Sequence, residues 1–228
     1  MSRRPYSRSQ LQRRKPSLEP RNRILIVCEG KETEPNYFNH LKNKLRLPAQ
    51  LIEIEIIPGN VCGSAARSIV NYAIQKIRNS KRNNPFDLVW CLIDVEAPIQ
   101  TTLKEAYDHV LSYIAPKDVQ TKLQLILSNP CFEFWYILHF EKTCRAFALN
   151  AEAISSLKRH IPQYDKGNKT IPEQLYNKTA TAINNSKLVL KEKNQRDEDL
   201  RNCNPSTHVH KIVQYLFDMV KVPIPGCT

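Results

Sequence analysis

Residues 24–34 read ILIVCEGKETE, and this segment indicates what kind of fold the chain adopts. Its first five residues are a continuous apolar run with the length of a buried strand, and the run ends at Glu29-Gly30. A helix is expected next, because Thr33 or Glu34 can cap it and apolar residues follow at helical spacing. The segment therefore predicts a buried strand that turns directly into a helix.

The same alternation continues to about residue 140. Strands are predicted at 24–28, 52–56, 88–93 and 123–127, and helices from about residues 33, 64, 102 and 131. This order implies right-handed crossovers and a largely parallel sheet with helices on both faces, an α/β fold. Beyond residue 141 only helices are predicted, one over 170–193 and one from Asn204 onward, so the C-terminal third is expected to be a helical annex.

The positive charge of the chain is concentrated at its N-terminus. The 228 residues have a formal net charge of +12, and residues 1–23 account for +7 of it, with eight Lys and Arg and one Glu. The pattern predicts a disordered basic arm on a mildly basic body. Contact with nucleic-acid phosphate is the functional interpretation. A solubilising tail is the alternative, and a transit peptide also fits the composition.

The remaining composition narrows the class of protein. With 41% hydrophobic and 25% charged residues the chain is typical of a soluble globular protein, and no apolar run reaches the roughly 20 residues of a membrane helix. The seven cysteines form no C-x-x-C pair, which favours a reducing compartment and thus the cytoplasm. A zinc site is not expected, because His208-x-His210 has the wrong spacing for one helix face.

Three acids follow predicted strands. Glu29 comes after the first strand, Asp94 after the third, and Glu96 lies two residues further on. In open parallel sheets, sites form beyond the carboxyl ends of the strands, and residues two apart in extended backbone point the same way, about 6.6 Å from each other. Three carboxylates on one edge suit Mg²⁺ or Mn²⁺. The alternative is that each acid is merely solvated or caps a helix.

Further residues are candidates for substrate contact or for supporting the carboxylates. Each also has an ordinary interpretation as a surface lysine, a helix cap, a solvated acid or a solvated helix face. These candidates are Lys31 after the Glu-Gly turn, Ser64 before a helix, Asn129 and Glu133 around the start of the helix after the fourth strand, and Lys166, which follows Tyr164.

Four segments resemble the RloB-like family, bacterial proteins with a TOPRIM-like fold found near restriction–modification and abortive-infection genes. The resemblance covers about residues 22–220 in the correct order. The segments are ILIVCEGKETE at 24–34, LIDVE at 92–96, SNPCFEFWYILHF at 128–140 and NPSTHVH at 204–210. Together with the charge distribution and the order of elements, the resemblance leads us to expect an arm (1–23), a TOPRIM-like core (24–140), a helical annex packed on the core (141–220) and a tail (221–228).

The resemblance also implies an activity. TOPRIM domains use a Glu after the first strand and Asp-x-Asp after the third to bind Mg²⁺ and to break or join phosphodiesters. Glu29 and Asp94 match these positions, and Glu96 replaces the second Asp. The expected function is thus Mg²⁺-dependent cleavage of RNA or DNA in phage defence. No G-x-x-x-x-G-K-[ST] loop is present, so a partner must supply any nucleotide hydrolysis that is needed, and the resemblance suggests an AAA-type ATPase encoded nearby. The alternative is a non-catalytic nucleic-acid-binding subunit of a defence complex.

Overall fold

The structure is a computed structural model that describes residues 23–48, 52–56, 66–80, 84–95, 100–114, 121–194 and 203–226. The predicted arm up to residue 22, Ser64 and Glu96 lie outside these described residues. No helix in the described part of the chain is long and apolar enough to cross a membrane.

The centre of the fold is a five-stranded sheet. Its strands are β1 (Ile24–Cys28), β2 (Ile52–Ile56), β3 (Leu88–Asp94), β4 (Lys122–Asn129) and β5 (Ser206–Thr207), arranged in the order β2-β1-β3-β4-β5. The first four run parallel, and β5 pairs antiparallel with β4. The predicted α/β class and largely parallel sheet are confirmed. The prediction that no strand follows residue 141 is wrong, because β5 joins the edge of the sheet.

Eight described helices flank this sheet. They are α1 (Thr33–Lys44), α2 (Ala66–Asn79), α3 (Gln100–Ser112), α4 (Glu133–Ile137), α5 (Asn150–Lys158), α6 (Ile171–Tyr176), α7 (Thr179–Asn194) and α8 (Val209–Val220). The single helix predicted over 170–193 is two helices. Between them the Lys178 N–H bonds to the Leu175 carbonyl and the Thr179 hydroxyl bonds to the Tyr176 carbonyl, a tighter turn than an α-helix makes.

Both faces of β1 are buried, which explains why the strand is apolar at every position. Ile24 and Ile26 belong to a core with α1, α4 and the C-terminal helices, whereas Leu25 and Val27 belong to a second core with α2 and α3. The five residues of β1 are completely buried. Alternating side chains of one strand thus enter opposite cores, and the strand ends are held in place from both sides.

Arg23 belongs to the core rather than to the arm. Its backbone N–H donates to an Asp87 carboxylate oxygen at 2.6 Å, and its guanidinium pairs with Glu53 and lies 3.9 Å from the centre of the Phe86 ring. The prediction that the arm includes residue 23 is therefore wrong at its last position, because Arg23 ties the start of β1 to its neighbours.

A buried polar network fixes the end of β4. The hydroxyls of Ser128 and Thr207 are 2.9 Å apart across the β4–β5 pair, and the Ser186 hydroxyl bonds to the Thr207 carbonyl at 2.9 Å. Ser186 also bonds to the His210 ring at 2.9 Å, and burial lowers the pKa of His210 to about 4, so the ring stays neutral. The segment 204–210 thus connects the C-terminal helices to the sheet edge.

Candidate functional site: an acidic cleft at the carboxyl ends of the strands

A cleft of about 380 Å³ opens where β1 and β3 end. Val27 in β1 lies beside Cys91 in β3, so the residues that follow both strands meet at the same edge of the sheet. The Asp94 backbone N–H donates to Glu29 Oε2 at 3.2 Å, which fixes the Glu29 side chain against the end of β3. The two predicted strand-end acids are therefore neighbours.

The first turn of α1 adds a third carboxylate, Glu34. Its side chain folds back so that Oε1 accepts the Gly30 N–H at 3.1 Å, and the residue is only 5% exposed. Burial raises the pKa of Glu34, and the charge of Glu133 raises it further, whereas the bonds to backbone N–H groups and the charge of Lys166 lower it. Glu34 thus extends the carboxylate group inward from Glu29.

Gly30 leaves room for that carboxylate. A Cβ at this position would lie 2.2 Å from Glu34 Oε2 and 2.7 Å from Oε1, closer than van der Waals contact allows. The Glu-Gly sequence after β1 therefore provides one carboxylate and also the space that a second one occupies.

Gly30→Ala is expected to displace the Glu34 carboxylate and release the Gly30 N–H. We expect a loss of about 1–2 kcal/mol in the free energy of unfolding, measured by urea denaturation, because a buried hydrogen bond is lost. Gly167→Ala is the matched control, because its Cβ would lie 3.3 Å from the exposed tip of Asp165. Equal stability of the two variants would show that the fit around Gly30 is loose.

Glu133 supplies a fourth carboxylate from the other side of the cleft. It begins α4, directly after β4, and is 1% exposed. Its Oε1 accepts the Tyr164 hydroxyl at 2.8 Å and lies 3.6 Å from Lys166 Nζ. Tyr164 and Lys166 lie in the turns between α5 and α6, so the C-terminal region contributes directly to the cleft.

The electrostatics of the cleft follow from this crowding. Burial raises the pKa of Asp94 well above its usual range, and the charges of Glu34, Glu133 and Glu29 raise it further, although the Phe132 N–H opposes the shift by bonding to the carboxylate. Burial alone would lower the pKa of Lys166, but the negative charges beside it, chiefly Glu133, raise it. The site concentrates negative charge, and Lys166 is a cation inside it.

The structure brings together five of the eight predicted site residues. Asn129 is buried at the end of β4 and does not line the cleft, and Ser64 and Glu96 lie outside the described residues. Tyr164 is 5% exposed and bonded to Glu133, so it is not placed to stack on a nucleotide base. The residues that do line the cleft are Glu29, Lys31, Asp94, Glu133 and Lys166.

The sequence interpretation missed the roles of Glu34 and Tyr164. Glu34 was expected at most to cap α1. In the structure the cap position is Glu32, Glu34 lies inside the first turn of the helix, and its carboxylate bonds to Gly30 in the preceding turn. An acid four residues after the glycine of a strand–Glu-Gly turn was the available signal. Tyr164 is 31 residues from Glu133, and nothing in the local sequence marks their contact.

Fold and site together define an α/β protein with an acidic cleft at the carboxyl edge of a mostly parallel sheet. A comparison with protein families matches the family described as RloB-like protein to residues 24–216, a range that contains all the carboxylates of the cleft. The chain therefore belongs to the RloB-like family. No match was found among curated proteins or among solved structures.

Proposed function

We propose that the cleft is the active site of a Mg²⁺-dependent nuclease that cleaves phosphodiester bonds in RNA or DNA. The observation that carries this proposal is the hydrogen bond from the Asp94 N–H to Glu29 Oε2, which joins the two strand-end acids. Glu29 follows β1 and Asp94 is the last residue of β3, which is where the TOPRIM resemblance expects two of its acids, and Glu34 and Glu133 add two carboxylates to the same cleft.

The donor set of the cleft fits Mg²⁺ in chemical type. Carboxylate oxygens are the hard ligands that Mg²⁺ prefers, and Mg²⁺ usually takes one or two of them and completes its shell with water and substrate phosphate. Within the described residues, no three His, Cys, Asp or Glu side chains are grouped so that they could hold a metal ion by themselves. Asp94 and Glu96 are the proposed ligands, and Glu96 lies outside the described residues.

The reaction is hydrolysis of a phosphodiester. The oxygen of water bonds to phosphorus, one ester P–O bond breaks, and the departing oxygen takes up a proton, which leaves a phosphate monoester and a hydroxyl group. Bound Mg²⁺ would offset the charge that develops on the phosphate oxygens. We assign to the Glu29 carboxylate the removal of the proton from the attacking water, because its bond to the Asp94 N–H holds it at the mouth of the cleft.

We place this activity in bacterial phage defence, under the control of an AAA-type ATPase encoded nearby, because the resemblance to the RloB-like family implies that setting. The protein is expected to act in the cytoplasm on nucleic acid. The competing proposal is a subunit that binds nucleic acid without cleaving it. The observation that favours it is Glu96, which stands where the TOPRIM pattern has a second Asp and whose side chain is one methylene longer.

The proposal is tested with labelled tRNA and plasmid DNA, incubated with the protein in Mg²⁺ or in EDTA, with and without the neighbouring ATPase. Cleavage is expected in Mg²⁺ only, and Glu29→Gln should reduce it by about 100- to 1,000-fold. Glu105→Gln, at an exposed acid paired with Arg67 on the outer helices, is the control. Cleavage that survives Glu29→Gln would overturn the proposal, and binding with no cleavage under any condition would favour the second candidate.

Deletion of residues 1–22, which spares Arg23, is expected to weaken nucleic-acid binding and flatten its dependence on salt. The slope of log K against log salt concentration should fall by roughly 0.9 for each phosphate of duplex DNA that the arm neutralises. Replacing five arginines by Gln in the full-length chain should give a similar change, since charge and not length is responsible. An unchanged slope would identify the arm as a solubility tail. The arginines replaced by Gln in the full-length variant are Arg3, Arg4, Arg8, Arg13 and Arg14.

A further inference from the structure

We propose that Lys166 binds the phosphate of the substrate in the cleft, and that Glu133 and Tyr164 position it for that contact. The inference rests on the proposed nuclease function and deepens it, because it names the residue that attracts the substrate. It also makes the turns between α5 and α6 part of the active site.

The charge of the cleft creates the need for such a residue. Glu32 also lines the cleft, which brings the count to five carboxylates and two lysines. Their formal charge is −3, whereas the whole chain carries +12. Every nucleotide brings a phosphate with a negative charge, and the carboxylates repel it. A cation that faces the cleft therefore decides whether a phosphate can enter. Lys31 and Lys166 are the described cations that line it.

Lys166 is held in place on one side and open on the other. Its ammonium nitrogen is 3.6 Å from Glu133 Oε1, and its side chain remains 54% exposed. An ammonium group has three donors, so one contact leaves capacity for phosphate oxygens. Lys31, by contrast, is exposed and makes no ion pair with a described residue, so its side chain would lose more conformational freedom on binding. The geometry therefore favours Lys166 for the first contact.

The anchor for Lys166 is itself fixed. Glu133 is 1% exposed, and the Tyr164 hydroxyl donates to its Oε1, the same oxygen that faces Lys166. Burial and the charge of Glu133 raise the pKa of Tyr164, so its hydroxyl stays protonated and remains a donor. A carboxylate that cannot turn away keeps the ammonium at the mouth of the cleft before substrate arrives, which is how a binding site is preorganised. Glu133 and Tyr164 are thus positioning residues.

The contact is tested by measuring binding without turnover. Fluorescein-labelled 20-nucleotide RNA and DNA strands are titrated with the full-length protein in Ca²⁺ instead of Mg²⁺, at several salt concentrations, and followed by anisotropy. Lys166→Met is expected to weaken binding about tenfold. It should also reduce the log–log salt slope by about 0.7, the value for one phosphate contact on a single strand. Lys166→Arg should keep the slope of the wild type.

Lys169→Met is the matched control, because Lys169 is an exposed lysine of the same turns that does not line the cleft. A Lys166→Met variant with the affinity and slope of Lys169→Met would overturn the inference, and so would wild-type protein that binds neither strand. Failure of the nuclease proposal looks different. In that case Glu29→Gln would cleave as the wild type does, whatever Lys166→Met does to binding.

The positioning role has its own readout. Tyr164→Phe keeps the buried ring and removes the hydroxyl that holds Glu133, and we expect it to weaken binding severalfold in the wild-type background. In the Lys166→Met background the same substitution should have no further effect on binding, because Tyr164 acts on the substrate only through the ammonium group of Lys166. Equal effects in both backgrounds would show that Tyr164 serves only the packing of the core.

Discussion

Asp94→Asn is expected to reduce Mg²⁺-dependent cleavage by about 1,000-fold and, at the same time, to raise the stability of the metal-free protein at neutral pH. The loss of activity follows from the proposed role of Asp94, because an amide neither carries the charge nor binds Mg²⁺ as a carboxylate does. The gain in stability follows from the crowding of Asp94 by Glu29, Glu34 and Glu133, since the amide removes one of four neighbouring negative charges. Asn also keeps an oxygen that accepts the Phe132 N–H.

The raised pKa of Asp94 determines the direction in which the free energy of unfolding changes with pH. The pKa of Asp94 is higher in the folded protein than the value of about 3.9 in an unfolded chain. Between the two values the folded state binds more protons than the unfolded state, so the free energy of unfolding decreases as the pH rises through this window. At pH values above the pKa of Asp94 in the folded protein, the loss in the free energy of unfolding is complete and no longer changes with pH. Asp94→Asn should therefore gain stability over the wild type as the pH rises from about 4, and should match it below.

The measurement is thermal or urea unfolding in EDTA at a series of pH values, with the difference between variant and wild type plotted against pH. This difference cancels other titrations, such as that of buried His139, whose pKa burial lowers to about 4. A gain of 1 kcal/mol corresponds to a rise of about 2–4 °C in Tm for a domain of this size. Asp218→Asn, at an exposed acid on α8, is the control. A difference that does not change with pH would contradict the raised pKa.

The parts of the fold that local pattern determines were predicted from the sequence. Parallel strands buried on both faces must be apolar throughout, so β1 and β3 appear as continuous apolar runs. The topology then places Glu29 and Asp94 at one edge. β5 was missed because two residues, Ser206 and Thr207, are too short to show a period, and it forms only because the edge of β4 is available.

The parts of the site that depend on side-chain direction were not predictable. An acid in the first turn of a helix ordinarily stabilises the helix dipole, and this more common interpretation outweighed the spacing of Glu34 four residues after Gly30. Glu133 was predicted to lie near the site, but its bond to Tyr164 joins the start of α4 to the turns between α5 and α6, 31 residues further along the chain. Arg23 was assigned to the arm by its charge, whereas its neighbours Asp87 and Phe86 are distant in sequence.

Glu34→Gln is expected to reduce Mg²⁺-dependent cleavage by about 100-fold while the protein remains folded. Glu34 has two possible roles: it holds the Gly30 turn through a hydrogen bond, and it contributes charge to the cleft. The amide oxygen of Gln still accepts the Gly30 N–H, so the substitution removes the charge and keeps the bond. Burial already raises the pKa of Glu34, so the loss of its charge should not destabilise the fold.

Glu152→Gln is the matched control for this substitution. Glu152 also lies in the first turn of a helix, α5, and its carboxylate accepts the N–H of Ala148, four residues earlier, at 3.1 Å, the same distance as the Glu34–Gly30 bond. It lies outside the acidic cleft. Cleavage rates and unfolding free energies of the two variants are compared in parallel. If Glu34→Gln cleaves as fast as Glu152→Gln, the role of Glu34 is limited to stabilising the turn through its hydrogen bond with Gly30. If it is slow and equally stable, its negative charge serves the reaction, and the active site contains a carboxylate beyond the strand-end pair.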